Sequence, residues 1–152
     1  MLLAILALGV AILLARGSHP VVGTLLVGSA LGVSAILFLP TQMLGAWFGM
    51  DHVHRLYGLT RSTPLDPPEW IHLLAFAWLG LLIRLARTDL RNWRGLVLVA
   101  ALGVAAELSQ WLTDGRQPRV EDAALNVAGG LAGILLAQVA CALVKRARPA
   151  KP

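Results

Sequence analysis

The sequence predicts an all-α integral membrane protein, with four to five transmembrane helices in a small bundle and an outer-facing polar site. Three observations carry this reading. The chain of 152 residues is 57% hydrophobic and only 14% charged, against about 25% charged for an ordinary soluble domain. The apolar residues come in long blocks, and crossing a bilayer as a helix takes roughly 17–25 mostly apolar residues. Inside one block stands a carboxylate, Glu107. Even the mildest insertion scale charges about 3 kcal/mol for such a group at mid-membrane, so it marks a site.

The segments follow in order. Leu2–Ala15 is short and reaches only about 21 Å at the helical rise. It is expected as a retained helix, because no Lys or Arg precedes its apolar core as the basic region of a signal peptide would. The alternatives are a segment lying in the interface and a cleaved signal peptide. Four blocks have spanning length: Val21–Leu39, Trp70–Ala86, Gly95–Leu112 and Asp122–Val144. Trp70, Trp93 and Trp111 lie near span ends, where interfacial aromatics gather. The one long connection, Pro40 to Glu69, holds Trp47, Phe48 and Tyr57 and four of the eight prolines. It is expected to lie on the outer membrane surface. The other connections are short, so neighbouring helices should pack antiparallel. No linker or internal repeat is visible, and residues 1–152 read as one domain.

Charge sets the orientation. With five spans, one side collects Arg16, Arg84, Arg87, Arg91, Arg94, Lys145, Arg146, Arg148 and Lys151, nine in all. The other collects Arg55, Arg61, Arg116 and Arg119, four in all. The positive-inside rule then places the C-terminal tail and the Arg84–Arg94 turn in the cytoplasm. The localisation expected is a bacterial cytoplasmic membrane, multi-pass. The net charge of +5 is spread over segment ends and forms no basic arm, so no nucleic-acid partner is expected. Cys141 is the one cysteine; it excludes a disulfide within the chain and reads as an apolar space-filler.

Polar residues gather on two helix faces. Glu107, Gln110, Trp111 and Asp114 share one face, and Asp122, Asn126, Gly129, Gly130 and Gly133 share another. The connection between the two helices is short, so their polar ends meet at its turn, which holds Arg116 and Arg119. His72 sits near the outer end of its own helix at similar depth. His72, Glu107, Gln110, Arg116, Asp122 and Asn126 are therefore expected at one outer level of the membrane, as a ligand-binding set. Gly129 and Gly133, four apart, are expected to let helix backbones approach closely; Gly28 and Gly32 share that spacing but no polar face.

Each of these residues also has a purely structural reading. Glu107 pairs with Arg116 or His72; Asp122 caps its helix; Asn126 and Gln110 bridge helices by hydrogen bonds; Arg116 is a solvated turn residue; His72 is a wet interfacial histidine. Asp51-His52-Val53-His54 is too local to complete a metal site unaided, and neither a metal nor another cofactor is expected.

The spacing Glu107, Gln110, Arg116, Asp122, Asn126, Gly129, Gly133 resembles the signature of the VanZ-like membrane protein family. The run from His72 to Gly80, with Phe76 and Trp78, is similar to that family's histidine-aromatic helix start. The resemblance covers about residues 68–135. Where the family usually has Asp-Lys, four and three residues before the histidine, this chain has Pro68 and Glu69; where it often has tyrosine, this chain has Phe76. The resemblance implies a role in reduced sensitivity to lipoglycopeptide antibiotics of the teicoplanin type.

Three functions stand beside one another. The first is a protein whose outward polar cleft binds a lipid headgroup or lipid-linked cell-wall intermediate. The second is a membrane-embedded hydrolase or transferase on such a lipid. There His72, Glu107 and Asp122 are the catalytic candidates, with Glu107 or His72 as acid/base. No serine or cysteine nucleophile with a neighbouring base supports it. The third is a small carrier, which with four or five helices and no repeat would act as an oligomer.

Overall fold

The computed structural model describes residues 2–38, 62–87, 89–90, 93–111 and 119–147, with scattered positions between 46 and 60. The described residues form five main helices: α1 (Leu2–Ala15), α2 (Pro20–Phe38), α3 (Pro67–Ala86), α4 (Trp93–Trp111) and α5 (Val120–Ala147). No strand occurs among them.

Four helices begin within three residues of the apolar blocks, and α1 coincides with its block. The extensions have chemical causes that hydropathy does not register. Pro67 and Pro68 open α3 in its first turn, where a backbone N–H would have no helical partner. The N–H of Asp66 donates to Glu69 Oε2 at 2.9 Å, fastening the entry. Pro67 to Glu69 thus belong to the helix and not, as expected, to the preceding connection. Thr63 accepts from Trp70 Nε1 at 3.0 Å and donates to the Thr60 carbonyl at 2.7 Å, tying that connection to α3. At the far end, α5 continues past Val144 through Lys145 and Arg146, cations that suit the negative end of its dipole.

Gly17 turns the chain between α1 and α2 at φ +77°, a conformation that costs a side-chain-bearing residue. Ser18 Oγ donates to the Ala15 carbonyl at 2.7 Å and closes the end of α1. Between α3 and α4, Arg87 holds Asp89 in a two-pronged pair of 2.8 and 2.6 Å.

Helix α5 packs most extensively against α3 and next against α4; α1 lies on α2, and α2 on α3. Glycines explain the α3–α5 contact. A Cβ added at Gly129 would overlap the Leu73 carbonyl oxygen, and one at Gly133 the Ala77 carbonyl oxygen. From the other side, a Cβ at Gly80 would overlap the carbonyl of Gly130. Gly28 and Gly32 have nothing within 4 Å of such a Cβ. Their spacing marks no close contact here: α2 meets α3 elsewhere, as where Trp78 Nε1 donates to Ser29 Oγ at 2.8 Å.

The core cluster of Leu14, Leu26, Leu82, Ile83, Ala86, Val99 and Ile134 gathers around the last turns of α3. The first turns of α3 are left for polar groups. The outer surface is apolar: Leu135, Leu136, Val139, Leu143 and Val144 of α5 are all more than half exposed. Helices α3 and α5 are long and apolar enough to cross a membrane, and Ile5–Ala15 and Pro20–Ala35 are shorter apolar helices. An exposed apolar surface of this extent marks a face that meets a membrane or another protein.

Candidate functional site

Three helices each send a polar side chain into one buried seam. Helix α3 contributes His72, α4 contributes Glu107, and α5 contributes Asp122 and Asn126. Their relative exposures are 5%, 3%, 8% and 0%. Buried polar groups demand partners, and Asn126 supplies most of them. Its Nδ2 donates to Glu107 Oε1 at 3.2 Å and to the Gly103 carbonyl at 3.3 Å. Its Oδ1 lies 2.9 Å from His72 Nδ1. That same nitrogen is 3.5 Å from Glu107 Oε1. Nδ1 therefore faces two acceptors and is the nitrogen that carries a proton in this arrangement.

The close approach needs Gly103. A Cβ there would stand 3.1 Å from Asn126 Cβ and 3.3 Å from Val127 Cγ2, a tight fit that α5 could meet only by giving way slightly. Gly103 lies one helical turn before Glu107, so the face that presents the carboxylate also makes room for its donor.

The remaining carboxylate oxygens are poorly served. Among the described residues, Glu107 Oε2 accepts only the backbone N–H of Arg119, at 3.4 Å. Asp122 Oδ1 is buried without a hydrogen-bond partner among the described residues. The Arg119 guanidinium points elsewhere, 3.9 Å from Glu69 and 3.8 Å from Glu121. Among the described residues, no Lys or Arg side chain lies within ion-pair distance of Glu107 or Asp122. The seam is acidic among the described residues, and His72 is the neighbour there able to balance charge.

An apolar cavity of about 360 Å³ lies beside this seam, between α1, α2, α3 and α4. Val10, Leu26, Phe76, Leu79, Ala106 and Ser109 are among its lining residues. Phe76 stands one helical turn from His72, and Ala106 is the residue before Glu107. Ser109, off the polar face, turns its hydroxyl back to the Ala106 carbonyl at 2.6 Å.

Of the residues singled out from the sequence, the fold brings His72, Glu107, Asp122 and Asn126 together. Arg116 and the Gln110 side chain lie outside the described residues, as do His52 and His54. Gly129 and Gly133 sit one and two turns along α5 from Asn126, against α3. Sequence reasoning missed Gly103, the Arg119 N–H and the Glu69–Arg119 contact. Gly103 was detectable, because it occupies the Glu107 face at the i−4 position.

The family model described as VanZ/LLP1 matches residues 3–141. No curated protein and no solved structure matches the chain.

Proposed function

The chain belongs to the VanZ/LLP1 family, and from that premise we propose that it is a multi-pass protein of a bacterial cytoplasmic membrane that binds an amphipathic lipid. The headgroup, that of a membrane lipid or a lipid-linked cell-wall intermediate, occupies the polar cleft around His72, Glu107, Gln110, Arg116, Asp122 and Asn126. By holding that molecule at the outer surface, the protein lowers sensitivity to lipoglycopeptides of the teicoplanin type. The single observation that carries this reading is the junction of two environments. A buried hydrogen-bonding seam stands one turn of α3 from an apolar cavity of about 360 Å³, by way of His72 and Phe76. A lipid presents the same pair, a polar head joined to an apolar chain. Four or five spans, one domain, an outward site and a cytoplasmic C-terminus complete the proposal, supported by the unequal distribution of Lys and Arg.

The test is a lipid retained by the full chain in mild detergent, identified by native mass spectrometry. Ala106→Phe fills the cavity and Arg116→Leu removes the donor proposed for the headgroup; each should release the lipid. A wild-type protein that retains no lipid, or variants that retain it as before, would overturn the proposal.

One observation favours a second reading, hydrolysis or group transfer on the lipid. His72 Nδ1 lies 3.5 Å from Glu107 Oε1, an imidazole–carboxylate pair suited to acid/base work. Glu107→Gln then lowers turnover by about 10²–10⁴ while lipid is still bound.

A further inference from the structure

The acidity of the seam poses a problem for any anionic headgroup. Two carboxylates, Glu107 and Asp122, are buried in a low-dielectric bundle, and among the described residues one imidazole stands near to balance them. Carboxylates so placed need a cation or must give up their charge. A phosphate brought alongside would meet repulsion from both.

We propose that His72, Glu107 and Asp122 form a binding site for a divalent first-row metal ion of the zinc class. Each residue offers one donor atom, and the three donors lie within 4.8 Å of one another. All three residues are more than nine-tenths buried. Asp122 adds an independent sign, since its Oδ1 is buried with no hydrogen-bond partner among the described residues. An oxygen in that condition lacks the cation or donor that its burial requires. Glu107 Oε2 is nearly as bare, with one long contact from the Arg119 N–H.

The distances suit the ion. Ligands at about 2.1 Å from a tetrahedral zinc stand about 3.4 Å apart. His72 Nδ1 and Glu107 Oε1 are already at 3.5 Å. Asp122 completes the set by side-chain movement on the order of 1 Å. The ion takes the Nδ1 position, and the proton shifts to Nε2 by exchange with solvent, so that the imidazole binds as a neutral ligand. Asn126 holds Glu107 from behind through its amide donation, while its Oδ1, which faces Nδ1, turns aside or adds an oxygen to the ion when the ion binds. One nitrogen and two carboxylates are a donor set of the kind that zinc takes with three protein ligands, leaving a fourth position open. That open position would receive an anionic group. This last step alone rests on the lipid reading above; the metal site does not.

The full chain, purified in mild detergent and stripped with EDTA, is equilibrated with Zn²⁺, and bound metal is counted by mass spectrometry. One equivalent per chain is expected. It should persist when the other three histidines are replaced, in a His19→Ala, His52→Ala, His54→Ala variant. Asp122→Asn and His72→Ala should each weaken it by more than the about 10–100-fold that loss of an outer-shell partner costs. Cobalt(II) on the wild-type protein needs no variant, and visible d–d absorption is expected. Absent stoichiometric Zn²⁺ and absent cobalt bands would overturn the site. So would binding that follows the three other histidines and ignores His72. No lipid is present in these measurements. Metal bound without lipid retention in the earlier test ends the lipid reading and leaves the metal site standing; lipid retained without metal does the reverse.

Discussion

His72 and Asn126, 54 positions apart in the chain, meet at 2.9 Å in the buried seam between α3 and α5. The contact depends on glycines further along α5, because Gly129 and Gly133 seat that helix directly on the α3 backbone. Asn126 has no exposed surface and bonds to three helices at once, to α3 and α4 by its side chain and to α5 by belonging to it. Removing it strands several partners together.

Asn126→Leu is therefore expected to destabilise the bundle by about 1–3 kcal/mol for each buried group left unpaired. Asn126→Asp keeps the shape but sets a carboxylate where the amide donated to Glu107 at 3.2 Å. At neutral pH it should be the less stable of the two, through repulsion in a site of low dielectric. Thermal unfolding in mild detergent reads both. An Asn126→Asp protein as stable as wild type would remove Asn126 from the centre of the network.

Gly133 offers a test of packing apart from polarity. A Cβ there overlaps the Ala77 carbonyl and comes within 2.8 Å of the Leu81 nitrogen. Both obstacles are backbone, so the helices must separate. Gly133→Ala should cost about 1–3 kcal/mol, as overpacking does. Gly28→Ala meets nothing within 4 Å and should be neutral or stabilising by up to about 1 kcal/mol, from helix propensity alone. Equal losses at the two positions would contradict the asymmetry of the bundle.

This asymmetry also marks how far the sequence could be read. Two glycine pairs with the same spacing look alike on paper. Only a partner helix distinguishes them, and partner choice is a tertiary fact. The face carrying Asp122, Asn126, Gly129 and Gly133 was legible, because helical spacing fixes which residues share a side. Which neighbour that face would meet was less so. The short connection suggested α4, yet the glycines lie on α3 while Asn126 reaches α4 through Gly103. The start of α3 was misplaced for a simpler reason. Pro67, Pro68 and Glu69 are poor residues for an apolar block but good ones for a first helical turn. That His72, Glu107 and Asp122 belong together was legible from their level in the bundle, but that they offer converging metal donors was not, since the distances between side chains on three helices are a tertiary fact.

Asp89 provides a pH prediction at the α3–α4 turn. Its hydrogen bonds from the Arg87 guanidinium, with desolvation opposing and the nearby positive charges assisting, hold its carboxyl down to about 2 from an ordinary 3.8. A depressed carboxylate stabilises the folded form above its unfolded value. That contribution fades as pH falls from about 3.8 through about 2. The pair is exposed, so its effect on overall stability should be small. An NMR titration of Asp89 should show a midpoint near 2, returning toward 3.8 in Arg87→Gln. A midpoint already at the ordinary value in the wild type would show that the pair does not persist.

The two arginines near the polar end should respond differently to lysine. Arg119 serves Glu107 through its backbone N–H, while its half-exposed guanidinium stands between Glu69 and Glu121 at 3.9 and 3.8 Å. Exposed pairs of this length contribute about 0–1 kcal/mol. Arg119→Lys keeps the N–H and the charge, and should leave antibiotic sensitivity and membrane abundance near wild type. Arg119→Pro removes the donor and should weaken the protein further than any change of side chain. At Arg116 the proposed role is recognition of an anionic headgroup by a planar two-pronged fork, which lysine lacks. Arg116→Lys should then be abundant in the membrane yet inactive. If Arg116 serves only as a positive charge, lysine will suffice, and full activity in Arg116→Lys would strip it of the recognition role.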